Sequence, residues 1–333
     1  MTDLLSRTLA ADTLKCIDVG ARGGVQRGWL VYKSLMETEC FEPDPVACEK
    51  EKAANRPGEH WYAVGLGAKT GPAKLYVLKK PSSSSLYPPN PEIMARYAQH
   101  QYGKLVKTVD IEVMAISECL DQHQRPNPNL IKLDIQGAEL DVLKSMSEKH
   151  WSDLLALQVE VEFIEYYIGQ PLFGEIDAFM KGRGFELFDL LPDRRYRIRD
   201  ELENGYLRKY LNISRNRRDI SCRLVAGDAL YFRPAEEVLA RGDRAWCLKY
   251  LLILILHRCL DEALWFIETM QERNLLNTAE RDELIALVVS KKPTPTLMQR
   301  NDWLGRLTRK LAKIFNIGRG RKIDYWLDRS WDF

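Results

Sequence analysis

The chain has 333 residues, of which 45% are hydrophobic and 29% charged, a composition that is typical of globular proteins and excludes a largely disordered one. Its formal net charge of +2 is too balanced to make nucleic acid its main partner. The seven cysteines are scattered without a CxxC pair, which predicts reduced thiols in a cytoplasmic protein and no cysteine-built metal site. No apolar signal segment is visible at the N-terminus, and the longest apolar run, Tyr250–Leu256, is too short to span a membrane.

The first predicted element combines an apolar strand, an acid and a glycine turn. The strand begins at Leu14 and ends near Asp18. Three glycines follow it, Gly20, Gly23 and Gly24. Such a turn brings bare backbone and a helix N-terminus close to a ligand. Glu42 lies at the tip of the next predicted strand, where an acid suits the two hydroxyls of a ribose. The pattern predicts a nucleoside-type ligand, and a tight turn that binds nothing is the alternative.

Strands alternate with helices from Leu14 to Phe232. This order predicts an α/β fold with a doubly wound, mostly parallel sheet. One strand, Leu130–Ile135, carries Asp134 near its end. Ligands of such sheets bind outside the carboxyl ends of the strands. We therefore expect Asp18, Glu42 and Asp134 to meet there.

Two short strands, His60–Val64 and Ala73–Leu78, flank a glycine-rich turn and predict a hairpin. A serine-rich stretch follows, KKPSSSSLYPPNP at positions 79–91. Prolines and serines at this density predict a loop. The loop is either a flexible connector or a lid over the ligand, with Ser84 among the hydroxyls that would contact a substrate.

The segment LLALQVEVEF, at positions 154–163, is typical of a strand. It places three polar side chains on one face, Gln158, Glu160 and Glu162. Both faces of a parallel sheet are normally covered, so acids on one face need an explanation. They line the ligand crevice if the strand is central, or they are merely solvated if it is an edge strand. The crevice is the preferred interpretation.

The pattern changes after Pro234, where consecutive helices with short connections replace the strand–helix alternation. The helix around Leu248–Leu256 is apolar nearly all round, which predicts burial among its neighbours. A basic amphipathic helix follows in the tail, within WLGRLTRKLAKIF. These changes predict a ligand-binding domain at residues 1–234, a C-terminal all-helical domain at 235–292 and a basic tail at 293–333. The tail docks either on the protein or on an anionic membrane face.

Several of these blocks resemble the FkbM-type methyltransferases, a family of S-adenosylmethionine-dependent enzymes. The resemblance rests on IDVGARGGVQ, FEPDP and, most specifically, IKLDIQGAELDVLKS. It continues through QVEVEFIEYYIGQPLFGEIDAFMKGRGFELFDL and the strand in GDALYFR, and so covers roughly the first seven-tenths of the chain. Many members of the family have Glu where this chain has Gln136, which argues against a carboxylate role at that position. The helices after Pro234 lie outside the shared core.

The resemblance implies a class I methyltransferase-like sheet of seven strands, the last of them antiparallel, and S-adenosyl-L-methionine as cofactor. It implies methyl transfer mostly to hydroxyls of sugars or natural products. The cofactor-binding positions that it implies are Asp18, Gly20, Arg22 and Gly23 at the methionine and ribose end, Glu42 at the ribose diol, and Gly65 and Leu66 at the adenine. It also places Asp134 close to the sulfonium and the acceptor.

A hydroxyl acceptor has to lose its proton during methyl transfer. Asp134 is the first candidate for the base, Glu160 the second and His150 a third. The alternative role for Asp134 is cofactor positioning without proton transfer. No metal is part of this prediction.

The stretch between Asp193 and Arg223 is rich in arginine, and arginine binds phosphate or carboxylate with a planar fork. We assign substrate binding to Arg194, Arg195 and Arg197. The predicted acceptor is anionic, such as a phosphorylated, nucleotide-linked or lipid-linked saccharide. A solvated charged hairpin is the alternative.

Three functions are consistent with the sequence. The first is O-methylation of a saccharide, glycolipid or natural product, a glycan modification in the first case. The second is a nicotinamide-dependent oxidoreductase, disfavoured because GxGxxG is missing. The third is a non-catalytic assembly protein that acts through its C-terminal helices. We expect a cytoplasmic protein, with peripheral contact at the inner membrane face through the tail, and homo-oligomers are compatible with the sequence.

Overall fold

A computed structural model describes residues 3–97, 100–196, 209–210 and 223–291. The strands are β1 Leu14–Val19, β2 Met36–Phe41, β3 Glu59–Tyr62, β4 Gly65–Leu66, β5 Gly71–Leu78, β6 Leu105–Met114, β7 Leu130–Leu133, β8 Ala156–Glu162, β9 Glu186–Tyr196 and β10 Arg223–Phe232. The α-helices with described bounds are α1 Asp3–Leu9, α2 Pro45–Lys52, α3 Pro91–Met94, α4 Ile116–Gln122, α5 Glu139–Lys144, α6 Glu148–Trp151, α7 Phe173–Gly182, α8 Ala235–Ala240, α9 Arg244–Leu256, α10 Leu260–Glu272 and α11 Thr278–Ser290. Shorter 3-10 helices span Arg27–Leu35, Pro81–Ser83 and His100–Gly103.

The central sheet has seven strands in the order β3-β2-β1-β7-β8-β10-β9. Strands β3, β2, β1, β7 and β8 run parallel. The last strand of the chain, β10, runs antiparallel to both β8 and β9. This confirms the doubly wound, mostly parallel sheet with an antiparallel last strand. Since the strand order reverses between β1 and β7, the ligand crevice is expected at the carboxyl ends of these two strands.

A second sheet contains three strands in the order β4-β6-β5. The strand β6 is parallel to β4 and antiparallel to β5 over the whole of β5. The predicted hairpin between His60–Val64 and Ala73–Leu78 is therefore wrong. The first of these segments contains β3, which pairs with β2 in the large sheet, whereas the second pairs with β6. Local spacing suggested the hairpin, but pairing with two more distant strands satisfies the backbone groups instead.

Alternation along the central strands directs side chains to two different hydrophobic layers. Leu14 and Cys16 of β1 belong to a cluster with α1, the 3-10 helix Arg27–Leu35 and the C-terminal helices. Ile17 and Val19 belong to a second cluster with residues of α4, α5 and α7. The sheet is thus covered on both faces, as a parallel sheet requires.

The C-terminal helices form much of the first layer. Asp243 caps α9 by accepting a hydrogen bond from the backbone N–H of Trp246 at 3.1 Å, and every residue from Trp246 to Leu256 is buried. This confirms the predicted burial of Leu248–Leu256. At about 1.5–3 kcal/mol for each buried large apolar side chain, α9 contributes strongly to stability. These helices share one hydrophobic cluster with the sheet.

The division at residues 234 and 292 stays a prediction, and the tail at 293–333 lies outside the described residues. No helix within the described ranges is both long enough and apolar enough to cross a membrane.

The arginine-rich stretch begins inside a strand. Strand β9 extends to Tyr196, and Arg194 and Arg195 pair with Ala226 and Leu224 of β10. The arginine-rich stretch predicted between Asp193 and Arg223 thus overlaps the end of β9, a strand that tolerates Pro192 because it is at the sheet edge. Arg197 lies outside the described residues.

Candidate active site

A cavity opens at the carboxyl ends of β1, β2 and β7, next to the reversal of strand order. Its volume is about 1580 Å³. It brings together nine of the positions assigned from the sequence, Asp18, Gly20, Arg22, Gly23, Glu42, Gly65, Leu66, Ser84 and Asp134. These residues come from segments that are far apart in the chain, so their convergence supports a common site.

The turn after β1 is held by a close approach between Gly20 and the backbone of Asp134. Gly20 has a φ of +82°, and a Cβ atom there would lie 2.1 Å from the carbonyl oxygen of Asp134. Only glycine fits this position. The backbone N–H groups of Gly20 and Ala21 donate to the carbonyl oxygen of Phe41 at 3.0 and 3.2 Å. The turn therefore ties together the ends of three strands and keeps its own backbone near the cavity.

A buried ion pair joins β1 and β7 at the cavity. Asp18 and Lys132 are register partners, and Lys132 Nζ lies 3.6 Å from Asp18 Oδ1. Burial raises the pKa of Asp18, against the lowering effect of Lys132 and of a hydrogen bond from the Gln26 backbone N–H. Burial alone would lower the pKa of Lys132, but the surrounding carboxylates, led by Asp18 and Asp134, raise it. Lys132 therefore stays protonated and supplies the positive charge among the acids at the strand ends.

Glu42 follows β2 and is 4% exposed. Its Oε1 accepts a hydrogen bond from the Asp44 backbone N–H at 2.9 Å and lies 3.7 Å from Arg22 Nη1. Arg22 also pairs with Asp44 at 3.1 Å, so it bridges the two acids. Burial raises the pKa of Glu42, and the Asp44 N–H and Arg22 oppose this effect. Both contacts within the described residues use Oε1, which leaves Oε2 able to accept hydrogen bonds from a ligand.

An apolar wall lies beside Glu42. Gly65 and Leu66 form β4 and pair with Val113 and Met114 of β6. A Cβ atom at Gly65 would lie 3.1 Å from Val113 Cγ1, so a side chain there would require Val113 to shift by a few tenths of an ångström. Further apolar lining comes from Phe41, Leu75, Val77, Val109 and Ile111. A flat aromatic group such as adenine fits a wall of this kind.

Gln136 connects two of the candidate bases. It has a φ of 62°, an uncommon conformation for a residue with a side chain. Its Nε2 donates to Asp134 Oδ1 at 2.9 Å and to Glu160 Oε2, and its Oε1 accepts from the Tyr167 hydroxyl at 3.1 Å. Ser85 Oγ donates to its backbone carbonyl at 2.6 Å. A glutamate here would bring a third carboxylate to this cluster, whereas the amide holds two carboxylates in place.

The candidate bases differ in access to the cavity. The side chain of Asp134 is 34% exposed and lines the cavity. Glu160 is 3% exposed and reaches the site through Gln136. Strand β8 is central, between β7 and β10, so the solvated edge-strand interpretation of its acids is wrong. Of its polar face, Gln158 is the member that lines the cavity in the described part of the chain. Of the three candidate bases, Asp134 is thus the one whose carboxylate lines the cavity directly.

His150 lies in a different part of the fold. It is fully buried in α6, and its Nδ1 is 2.8 Å from Ser117 Oγ and 2.9 Å from Ser147 Oγ. Burial lowers its pKa, partly offset by Asp121. His150 is absent from the cavity lining that the described residues form. Its contacts join α4 to α6, which is a structural role, and the third base candidate is therefore not placed at the site.

The serine-rich segment lies along the cavity. Ser82, Ser84 and Ser85 line it, and Ser84 Oγ accepts a hydrogen bond from the Leu78 backbone N–H at 3.2 Å. Ser85 also forms a bridge with Tyr76 of β5. These contacts anchor the segment at the cavity edge. Substrate binding by Ser84 stays a prediction.

The charged residues Lys132 and Asp228 line the cavity but were not assigned to the site from the sequence, whereas Gln158 was placed only on the polar face of its strand. Gln158 Nε2 donates to Asp228 Oδ2 at 3.1 Å across β8 and β10. A signal for Lys132 exists, because a lysine between Ile131 and Leu133 interrupts a strand that is otherwise apolar. Asp228 similarly interrupts the strand in GDALYFR. A charged residue inside a buried strand indicates a functional or paired position.

One group of residues away from the cavity has the composition of a metal site, Glu37, Glu39 and His60. Arg125 donates to Glu39 Oε1 at 2.7 Å and to Glu37 Oε1 at 2.8 Å. Lys15 donates to Glu37 Oε2 at 2.6 Å, and this hydrogen bond is the largest cause of the lowered pKa of Glu37. Two side-chain cations already neutralise the two carboxylates, so the group is an ion-pair network.

Comparison with known families adds to this geometry. The family model of the methyltransferase FkbM domain matches residues 18–187, about half of the chain. The matched segment contains the glycine turn, Glu42, Asp134 and Gln136. It ends before β10 and the C-terminal helices.

Two curated relatives are methyltransferases. The chain is 29% identical over 195 residues to Methyltransferase sdnD of Sordaria araneosa, covering 51% of this chain and 73% of that protein. It is 27% identical over 191 residues to Methyltransferase 1 of Beauveria bassiana, covering 53% of this chain and 74% of that protein.

Two solved structures are also similar. Methyltransferase FkbM from Methylobacillus flagellatus shares 18% identity at a TM-score of 0.28, and the match covers 45% of this chain and 33% of that one. The present chain thus spans about a third of the length of that protein. A TehB-like SAM-dependent methyltransferase from Corynebacterium glutamicum shares 12% identity at a TM-score of 0.31, covering 69% of this chain and 86% of the other.

Proposed function

Because the chain belongs to the FkbM methyltransferase family, we propose that it transfers a methyl group from S-adenosylmethionine to a hydroxyl group of a saccharide, glycolipid or natural product. The observation that carries this proposal is the single cavity that collects the glycine turn, Glu42 and Asp134. The nicotinamide-dependent alternative is set aside, because the dinucleotide fold has the strand order 3-2-1-4-5-6, whereas here the antiparallel β10 lies between β8 and β9. Nothing in the described residues favours the assembly-protein alternative.

The cavity has the groups that S-adenosylmethionine requires. Glu42 has a carboxylate oxygen available for a ribose hydroxyl, beside the apolar wall at Gly65 and Leu66. The open space beside Gly23, where an added Cβ atom would meet nothing within 4 Å, leaves room for the polar end of the cofactor. When bound, the cofactor supplies a methyl group activated by its sulfonium.

The protein's own contribution is alignment and proton removal. Asp134 lines the cavity with a partly exposed carboxylate, held by Gln136 Nε2 and lying 3.9 Å from Lys132 Nζ. A carboxylate fixed in this way can accept the proton of an acceptor hydroxyl. Gln136 and Lys132 orient it, which supports the alignment that methyl transfer needs. An anionic acceptor remains our proposal, although the side chains of Arg194, Arg195 and Arg197 lie outside what the structure describes.

The placement of the cofactor is tested by changing Glu42 to Gln. This substitution keeps the shape but removes the charge, so S-adenosylmethionine should bind about 1.5–3 kcal/mol more weakly, or about 10- to 150-fold. Titration calorimetry with S-adenosylmethionine and S-adenosylhomocysteine measures the effect. Glu51→Gln, on α2 but away from the cavity lining, is the matched control. Equal affinity in wild type and Glu42→Gln would refute the placement, and absence of binding by wild type would refute the proposed function.

A further inference from the structure

The cavity is larger than one small-molecule site and has a wall that the cofactor positions do not use. Its volume of about 1580 Å³ exceeds the ~300–1,000 Å³ of ordinary ligand pockets. The proposed cofactor positions come from β1, β2 and β4. On another side, the lining comes from the 3-10 helix Arg27–Leu35 and from the C-terminal helical region. We name this side the helical wall, and it consists of Val31, Tyr32, Ile255, Leu256, His257, Arg258 and Lys291.

The position at which α9 ends determines where the helical wall lies over the sheet. Cys16, Leu130 and Ala156 lie on the sheet face that the C-terminal helices cover. Two residues further along the same strands, and therefore on the same face, are Asp18, Lys132 and Gln158. The sheet face thus changes from apolar to polar, and α9 ends at Leu256, where the chain turns through His257 and Arg258. The helix covers the apolar part and leaves a cavity over the polar part.

The helical wall is apolar with a cationic rim. Val31 is 67% exposed, and Ile255 and Leu256 also line the cavity. Arg258 is exposed, and the Lys291 ammonium lies 5.4 Å from the centre of the Tyr32 ring. Within the described residues the helical wall has two cations and no carboxylate, whereas the acids of the cavity come from the strand ends and the loop after β2. The remaining lining carries both signs, since Arg22, Lys80, Lys107 and Lys132 lie among those acids, whereas the helical wall carries positive charge alone.

Two buried polar atoms at the cavity also suit a ligand. Among the described residues neither the Tyr32 hydroxyl nor Gln158 Oε1 has a hydrogen-bond partner. Tyr32 is 5% exposed and Gln158 is 2% exposed, and both line the cavity. Buried polar groups without partners are unfavourable, and a bound hydroxylated molecule can satisfy them. The helical wall thus offers apolar contact, positive charge and the Tyr32 hydroxyl to one ligand, and Gln158 adds a polar contact from β8.

We propose that the helical wall is the acceptor-binding site, and that the acceptor combines an apolar body with an anionic group. The inference rests on the proposed function, since it assumes that the opposite side of the cavity holds the methyl donor. The apolar body packs on Val31, Ile255 and Leu256, and the anionic group binds near Arg258 and Lys291. Val31 and Tyr32 lie inside the segment that the family model matches, but the wall residues between 255 and 291 lie outside it, so the cationic part of the acceptor site belongs to this chain's own helical region.

Binding of two dyes of similar shape tests this proposal in the full-length protein. The anionic dye is 8-anilinonaphthalene-1-sulfonate, and the neutral dye is N-phenyl-1-naphthylamine. The test variant is Arg258→Asn with Lys291→Gln, since asparagine tolerates the φ of 58° at position 258. It should bind the anionic dye about threefold to tenfold more weakly by fluorescence titration, and the neutral dye as wild type does. Lys74→Gln with Lys181→Gln, two exposed lysines away from the cavity, is the control and should change neither affinity.

A second variant tests the apolar part of the helical wall. Val31→Glu places a carboxylate at an exposed position, so folding should be unaffected while both dyes bind more weakly. The proposal is overturned if wild type binds neither dye. It is also overturned if the double variant and Val31→Glu both bind the two dyes with wild-type affinity. Calorimetry with S-adenosylmethionine on the same proteins separates the two proposals. If wild type binds the cofactor but its dye binding does not depend on the helical wall, this inference alone is refuted. If dye binding depends on the helical wall but wild type does not bind the cofactor, the proposed function is refuted and the binding site remains supported.

Discussion

Replacing Asp134 by Asn tests the catalytic assignment most directly. The substitution keeps the side-chain shape. In wild type Asp134 Oδ1 accepts a hydrogen bond from Gln136 Nε2 at 2.9 Å, and the Oδ1 of an asparagine can still accept it. What it removes is the ability to take a proton, together with the charge that lies 3.9 Å from Lys132 Nζ. Because the side chain is 34% exposed, its loss should not unfold the protein. Thermal unfolding should therefore be close to that of wild type.

The expected kinetic effect follows from the role of a general base. Loss of a positioned base costs about 10²–10⁴-fold in kcat, or about 2.7–5.5 kcal/mol in the activation barrier. Glu160→Gln is the matched comparison, because Glu160 is buried and reaches the cavity through Gln136. We expect a smaller loss there, about tenfold or less. Transfer of a labelled methyl group to an acceptor measures kcat, and calorimetry measures cofactor affinity.

Three results would contradict this reasoning. Wild-type turnover in Asp134→Asn would rule out proton removal by this carboxylate. A large loss of cofactor affinity with little change in kcat would assign Asp134 to cofactor positioning instead. A greater loss of kcat in Glu160→Gln than in Asp134→Asn would mean that access to the cavity does not determine which carboxylate accepts the proton.

Two further predictions concern buried charges. Lys132→Met leaves Asp18, which is 1% exposed, without its counter-ion, so urea unfolding should show a loss of about 3–5 kcal/mol. Adding Asp18→Asn should restore much of that stability, and an equal loss in the single and double variants would contradict the ion-pair explanation. Burial lowers the pKa of His150 below its ordinary value of 6.5, so the unfolded chain binds a proton first as pH falls. Its contribution to stability is thus complete above about pH 6.5 and decreases at lower pH. When the pH falls from 7.5 to 5.5, urea unfolding should show a larger loss of stability in wild type than in His150→Gln. His123→Gln, at an exposed position, is the control and should behave as wild type does. Equal losses in all three proteins would refute this role of His150.

Much of the central fold could be predicted from local patterns. The strand, glycine turn and acid around Asp18, and the acid at Glu42, follow from strand propensity and from the conformations that glycine permits. Strand–helix alternation then predicts a parallel sheet, and parallel strands bring their carboxyl ends to one edge. Asp18, Glu42 and Asp134 could therefore be placed together, because their meeting depends on the order of elements and not on side-chain packing.

Local patterns failed where pairing or burial involves distant segments. The hairpin prediction was wrong because β5 finds a longer partner in β6, about 30 residues away in the chain. The acids of β8 could not be assigned, since only the insertion of β10 makes that strand central. His150 was a base candidate because burial is not visible in the sequence, and Lys132 was overlooked because its partner Asp18 lies on another strand.

The fold class, the family resemblance and the positions of the glycine turn and of the strand-end acids were predictable from the amino-acid order, because these features depend on short-range patterns. The folded structure was needed to show that α9–α11 pack on the sheet and that Leu256, Arg258 and Lys291 line the same cavity as Asp134. No local pattern could give this result. The position of a helix end over the sheet depends on how one apolar face covers another, and that contact joins residues more than 200 positions apart in the chain.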